Sequence, residues 1–282
     1  MPTQKICVCG AGTMGSGIAQ VAIQSGFDTI LYDVNEKMLA ASASRIESDL
    51  RLRVGKGKLD QADAEAMLDR LRCTTNIDQC VADFIIEAIA EIPEAKEDLF
   101  ARLANINSVK TILATNTSSL SVSRIASRIS SPGRFGGMHF FNPAPVMKLV
   151  EVVATSLTDQ KTIDSIVSLA IEFGKTPVLC RDSPGFIVNH IARPYYLEAL
   201  RLAETGLVDI ETIDGLMEST GFRMGPFRLM DLIGNDINYT VSQSVYEALG
   251  RPARLMPSSL QSGLLQKNHL GRKTGKGYYT YG

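Results

Sequence analysis

His139 and Glu151 are the residue types in this chain best suited to moving a proton. His139, one of only three histidines, stands in the run Gly136-Gly-Met-His-Phe140, and Glu151 in Leu149-Val-Glu-Val-Val153. Asn142, Pro143 and Pro145 lie between them and mark a rigid turn. A strand, that turn and a returning strand would bring Glu151 back beside His139. The carboxylate would hold one ring nitrogen and leave the other to a reactant, which is how a general base is arranged. A core histidine packed at a sheet end with a surface glutamate across from it would use the same residues, so the rest of the chain has to decide.

The amino-terminal segment offers a partner for such a base. Lys5-Ile-Cys-Val-Cys9 is a short apolar run, and Gly10, Ala11, Gly12, Thr13, Met14 and Gly15 follow it before a helix-like segment from Ser16. In such a turn the first glycine permits the bend, the second lets backbone approach a pyrophosphate, and the third lets helix and strand pack closely. Asp28-Thr-Ile-Leu-Tyr-Asp33 reads as the next strand. Asp33 then falls near the interval of roughly 20 residues at which an acid accepts from ribose hydroxyls. Its charge would repel a 2′-phosphate, so the expected cofactor is NAD rather than NADP.

The elements needed to carry these groups alternate along the chain. Residues 36–70 read as two helices meeting at a glycine-containing turn, an arm bearing the basic cluster Arg51, Arg53, Lys56 and Lys58. That cluster is either a solvated face or a contact for a phosphorylated substrate. The run 82–89 predicts a buried parallel strand and Pro93 the first turn of a helix reaching about 106. A strand at 110–114 opens into Thr115-Asn-Thr-Ser-Ser119, a polar loop expected at the carboxyl edge of the sheet beside the glycine turn and His139. Those hydroxyls can donate to a reacting oxygen, and they can equally cap the following helix at about 121–129. A helix at 159–173 and a strand at 175–180 complete the pattern.

Beyond Asp182-Ser-Pro-Gly-Phe-Ile-Val-Asn189 the character changes to helices alone, near 187–205, 209–219, 226–233, 236–249 and 258–265. The chain therefore reads as α/β: a Rossmann-type doubly wound sheet domain over 1–186, then a smaller all-α domain over 187–282 for substrate binding and dimerisation. Asn189, early in the first helix past the boundary, is expected to reach back toward the cleft. With 282 residues, 45% of them hydrophobic, a sizeable core is available, and the net charge of −1 argues against nucleic acid as a partner. The five cysteines show no zinc-ligand spacing and read as buried reduced thiols, so no metal is expected. No run of apolar residues is long enough to span a membrane and no leader is evident, which points to a cytoplasmic protein.

Six co-linear segments now carry a resemblance. They are Gly10-Ala-Gly-Thr-Met-Gly15 with Asp33, Asn116-Thr-Ser-Ser-Leu120, the run from His139 to Glu151, Asp182 to Asn189, Gly225-Pro-Phe-Arg-Leu-Met-Asp231, and Gly271-Arg-Lys-Thr-Gly-Lys-Gly-Tyr-Tyr279. Together they resemble the short-chain 3-hydroxyacyl-CoA dehydrogenase family, most of all its bacterial 3-hydroxybutyryl-CoA members. The resemblance implies NAD-dependent interconversion of 3-hydroxyacyl-CoA and 3-ketoacyl-CoA in fatty-acyl metabolism by a homodimer. It implies that His139 is the base and Glu151 its partner, and that Ser118 and Asn189 flank the substrate oxygen. Glu91, Lys96, Ser118, Asn142 and Lys273 would line the cofactor site, and Lys56 and Ser118 would meet the acyl-CoA. On the arm, Asp49 stands where family members can carry a CoA-contacting serine, with Ser48 as its possible substitute. Gly234-Asn235-Asp236 is also more polar than the family pattern.

Two other readings use the same residues. A dehydrogenase of a free hydroxy acid would call for a lysine base and an arginine anchor, which the His139/Glu151 pair argues against. A non-catalytic, NAD-binding relative of the crystallin kind would keep the fold without the chemistry.

Overall fold

The computed structural model describes residues 5–282, which divide into two compact units between Asp182 and Ser183. The first is built on an eight-stranded sheet in the order β3-β2-β1-β4-β5-β6-β7-β8. Its strands are β1 (Lys5–Cys9), β2 (Asp28–Tyr32), β3 (Leu71–Thr74), β4 (Phe84–Glu87), β5 (Ile112–Thr115), β6 (Phe135–Phe140), β7 (Leu149–Ala154) and β8 (Thr176–Arg181). β1 and β4 at the centre are runs of apolar residues, as strands covered on both faces must be. Every neighbouring pair is parallel except β6 and β7, which run antiparallel.

α1 (Thr13–Gln24) crosses from β1 to β2, and its small and aliphatic residues Ile18, Ala19, Ala22 and Ile23 are sealed in the core. The expected arm consists of α2 (Glu36–Gly55) and α3 (Gln61–Asp69). Asn35 caps α2 by accepting from the backbone N–H groups of Lys37 and Met38. The inner face of α2 belongs to the core through Leu39, Ile46 and Leu50. α4 (Pro93–Ile106), α5 (Val122–Ala126) and α6 (Gln160–Glu172) make the remaining crossovers.

One strand is absent from the sequence reading. The helical reading of residues 36–70 was followed by no strand before residue 82, whereas Leu71–Thr74 forms the edge strand β3, paired with β2. Its four residues, Leu-Arg-Cys-Thr, include two exposed positions and no apolar run, so it is formed by the partner it meets rather than by its own pattern. At the other edge, β8 carries Pro177, which an edge position tolerates. Cys7, Cys9 and Cys80 are buried thiols as expected, but Cys73 on the edge strand β3 is exposed and Cys180 on the edge strand β8 is half-buried.

The second unit is helical: α7 (Val188–Glu204), α8 (Ile210–Ser219), α9 (Pro226–Ile233), α10 (Asn235–Ala248) and α11 (Ser259–Gln266). Phe227, Met230, Leu197, Leu200 and Tyr196 form its core. Two buried acids fasten it. Asp214 accepts from the backbone N–H groups of Phe227 and Arg228 and from the Tyr279 hydroxyl, capping α9. Asp231 accepts from the backbone of Tyr278 and Tyr279 and from the Tyr281 hydroxyl, tying down the carboxyl-terminal segment. Among the described residues no helix is long and apolar enough to cross a membrane.

Candidate active site

The glycine turn lies between β1 and α1 at the carboxyl edge of the sheet. Gly10 has φ +110°, and a Cβ there would come 2.5 Å from the carbonyl oxygen of Ala88; a Cβ on Gly15 would come 1.7 Å from that of Gly10. The protein's own backbone forbids side chains at both positions. Gly12 differs, because a Cβ there would meet nothing within 4 Å. Gly12 is also the N-cap of α1 and offers no side-chain cap, so the first-turn N–H groups of Thr13, Met14 and Gly15 face an open cradle. This suits an anionic phosphate brought close to backbone. Asp33 stands across the turn, accepting from Ala11 N–H at 2.7 Å and Asn35 N–H at 2.9 Å. Beside it opens a cavity of about 480 Å³ lined by Gly10, Gly12, Asp33, Met38, Ala90 and Arg102. The residues present thus fit a dinucleotide, and Met38 and Arg102 are lining residues that spacing did not reveal.

Across the sheet, Glu87 at the end of β4 pairs with Thr115 of β5, and Thr115 with Gly137 of β6. The register brings His139 of β6 opposite Glu151 of β7. His139 Nδ1 lies 2.7 Å from Glu151 Oε2, with the two residues 5% and 1% exposed. A carboxylate on Nδ1 fixes the tautomer with its proton there, which puts the lone pair on Nε2. The turn after β6 is anchored from two sides. Asn116 Oδ1 accepts the Phe140 N–H at 2.8 Å, and Ala144 and Pro145 pack so closely over α1 that a Cβ on Gly17 would lie 3.2 Å from each. The turn that follows the strand bearing His139 is therefore seated on the helix that starts at the glycine turn.

A second cluster joins β4, α4 and the loop after β5. Lys96 is 1% exposed and is ion-paired with Glu87 and, at 3.0 Å, with Glu91 Oε2. Glu87 also accepts from Thr115 Oγ1 at 2.7 Å and Ile89 N–H at 2.7 Å. Glu91 Oε1 accepts from Thr117 Oγ1 at 2.6 Å and Ser118 N–H at 2.8 Å. Burial pushes both carboxyls up. For Glu87 burial outweighs the Lys96 charge and the pKa is raised; for Glu91 the Lys96 charge and the Thr117 and Ser118 hydrogen bonds win and hold it below the usual range. Lys96 spends its charge inside the protein and acts on the loop through Glu91.

The other expected site residues fall into separate groups. Asn142 is exposed in the turn after β6. Ser48 and Lys56 are exposed on α2 and at its C-cap, with no hydrogen bond to the groups above. Asp49 accepts from Gln20 Nε2 of α1 at 2.5 Å, which ties it to the sheet side of the arm. In the second unit, Asn189 lies in the first turn of α7, and Lys273 is ion-paired with Asp236 at 2.6 Å. Glu87 was missed, and Thr115 and Thr117 were read only as members of a polar loop, because only the fold brings them to Lys96 and Glu91; the buried acid ending the apolar run Phe84-Ile-Ile-Glu87 was the visible signal of the cluster.

A doubly wound sheet with such a glycine turn defines the class of dinucleotide-binding proteins. Comparison narrows the class. Residues 5–183 match the family model described as 3-hydroxyacyl-CoA dehydrogenase, NAD binding domain, and residues 185–281 match that of the C-terminal domain. The chain belongs to the 3-hydroxyacyl-CoA dehydrogenase family. It is 45% identical over 280 residues to the 3-hydroxyadipyl-CoA dehydrogenase of Escherichia coli K12, a match covering 99% of this chain and 59% of that protein. It is 41% identical over 287 residues to the mitochondrial hydroxyacyl-coenzyme A dehydrogenase of Sus scrofa, covering 99% of this chain and 91% of the relative. A crystal structure of 3-hydroxybutyryl-CoA dehydrogenase from E. coli K12 superimposes with a TM-score of 0.96 at 44% identity, over 100% of this chain and 60% of that one. The chain thus spans about three fifths of these two E. coli relatives.

Proposed function

We propose that the protein interconverts 3-hydroxyacyl-CoA and 3-ketoacyl-CoA with NAD, acting on short acyl chains such as 3-hydroxybutyryl-CoA and acetoacetyl-CoA. The observation that carries this reading is the 2.7 Å contact between His139 and the buried Glu151, on a strand whose following turn packs over the helix of the glycine turn. An alcohol is a weak acid, and its carbon releases hydride only as its proton is withdrawn. His139 takes that proton at Nε2, and Glu151 holds the tautomer and stabilises the imidazolium formed. NAD, when bound, supplies the hydride acceptor. Thr13, Met14, Gly15 and Asp33 hold it on the glycine side, and Glu91, kept ionised by Lys96, orders the Ser118 loop beside it. Ser118 offers a hydroxyl and Asn189 an amide to the substrate oxygen, and Asn142 and Lys273 take the cofactor-side roles that the family resemblance implies. Lys56 and Ser48 serve the CoA phosphates, with Asp49 held away on Gln20. The same reading makes the protein a cytoplasmic homodimer joined through its helical unit.

The test is the change in NADH absorbance with acetoacetyl-CoA. His139→Gln should lower kcat by about 1,000-fold while NAD binding, measured by calorimetry, persists. A variant that keeps kcat within about tenfold of wild type defeats the assignment of the base.

A further inference from the structure

Arg193 of α7 is 2% exposed, and no acidic side chain pairs with it among the described residues. Its Nε donates to the carbonyl of Asn189 at 3.0 Å, and its Nη1 to the carbonyl of Asn238 at 3.0 Å and to Ser242 Oγ at 2.8 Å. The guanidinium carbon lies 4.9 Å above the ring of Tyr196. These neighbours carry dipoles but no compensating charge, and burial pulls the pKa down to about 10, so the group stays cationic at neutral pH. Arg134 and Lys175 also rest on carbonyl oxygens, but both belong to the first unit and are 7% and 8% exposed.

A second unspent donor belongs to the residue whose carbonyl Arg193 meets. Asn238 of α10 is 1% exposed, and its Nδ2 is buried without a partner, while its Oδ1 accepts from Gln261 Nε2 at 3.2 Å. An uncompensated buried cation and an orphaned amide N–H both call for an anion. The surroundings are polar: Asn235 is fully buried, donates to Asp231 at 2.8 Å, and accepts from the same Gln261 amide as Asn238.

We propose that Arg193, with Asn238, receives a carboxylate at the far end of the acyl chain, so that the preferred substrates are 3-hydroxyacyl-CoA thioesters of dicarboxylic acids. This rests on the dehydrogenase reading above, in which Asn189 serves the reacting oxygen. Positions 189 and 193 share one face of α7, separated by about 6 Å along the helix. In a six-carbon diacid three carbon–carbon bonds of about 1.5 Å separate the hydroxyl-bearing carbon from the terminal carboxyl carbon, and the carboxylate oxygens extend further. A bidentate guanidinium–carboxylate pair spans the remainder. The E. coli relative named for 3-hydroxyadipyl-CoA, a chain of this length and charge, agrees with the geometry.

The experiment compares kcat/KM for 3-hydroxyadipyl-CoA and 3-hydroxybutyryl-CoA by NADH formation. Both carry the same CoA phosphates, so only the terminal group differs. Wild type should favour the diacid by at least about tenfold. Arg193→Met should reduce the diacid-to-butyryl ratio by about 100-fold. Asn238→Asp, which supplies the missing carboxylate from within and so does not rely on the fold surviving loss of the cation, should reduce it similarly. A wild type without preference, or variants that lose both substrates in equal measure, overturns the inference and leaves the dehydrogenase reading standing. If neither substrate yields NADH, the dehydrogenase reading itself falls, and the inference with it.

Discussion

Lys96 in the sheet unit and Arg193 in the helical unit are withdrawn from water to almost the same degree, 1% and 2% exposed, yet they keep different company. Lys96 is clasped by Glu87 and Glu91. Arg193 has carbonyl oxygens, a hydroxyl and an aromatic face. A buried cation matched by acids is a closed device, and its removal strands the charges that it served. A buried cation matched only by dipoles carries its desolvation cost unrelieved, and that cost is recovered when an anion arrives.

The sharpest way to break this contrast is Lys96→Met. It leaves Glu87 and Glu91 facing one another without a counter-charge, and should cost about 3–5 kcal/mol in urea denaturation at pH 7. A loss below about 1 kcal/mol would mean that the cluster is not the closed device described. Arg193→Met should cost less, roughly 1–2 kcal/mol, because Asn238 O keeps its bond from Ser242 Oγ and an uncompensated charge is removed. Equal losses for the two variants would erase the difference between the units.

The smallest effect concerns pH. The folded-state pKa of Glu91 is depressed, so its contribution to stability is present above the ordinary glutamate value of about 4.3 and is lost as pH falls through the lower folded value. Glu87 has the opposite sign: its raised pKa gives a contribution that is complete below about pH 4.3 and lost as pH rises through the folded value. Glu91→Gln should therefore flatten the fall in stability between about pH 5 and pH 3, by less than about 1 kcal/mol because the carboxyl is partly open to water. An acid limb that keeps its slope in this variant would place the stabilising charge elsewhere.

The parts of this arrangement that could be read from residues are those written in local spacing. The glycine turn shows because Gly10, Gly12 and Gly15 follow one apolar run within a few residues. The meeting of His139 with Glu151 shows because a proline-bearing turn between two strand-like runs leaves few registers open. What could not be read depends on chain distant in sequence. Lys96 was placed beside the cofactor by resemblance, but its two acids come from the end of β4 and the loop after it, and Thr115 and Thr117 from the strand and loop beyond. β3 shows no pattern of its own. Arg193 reads as one more polar residue in an amphipathic helix; only the packing of α10 against it exposes the missing counter-charge.

The reversal of direction at β6 and β7 has a consequence for how faulty copies of this protein would behave. Side chains alternate between the faces of a sheet, so sliding β7 by one residue against β6 would turn Glu151 to the opposite face from His139. Most of the surrounding sheet would still assemble and bind dinucleotide at the far glycine turn. A preparation containing such misthreaded molecules would therefore look intact by circular dichroism and cofactor titration, and its turnover per bound NAD would count the correctly threaded fraction.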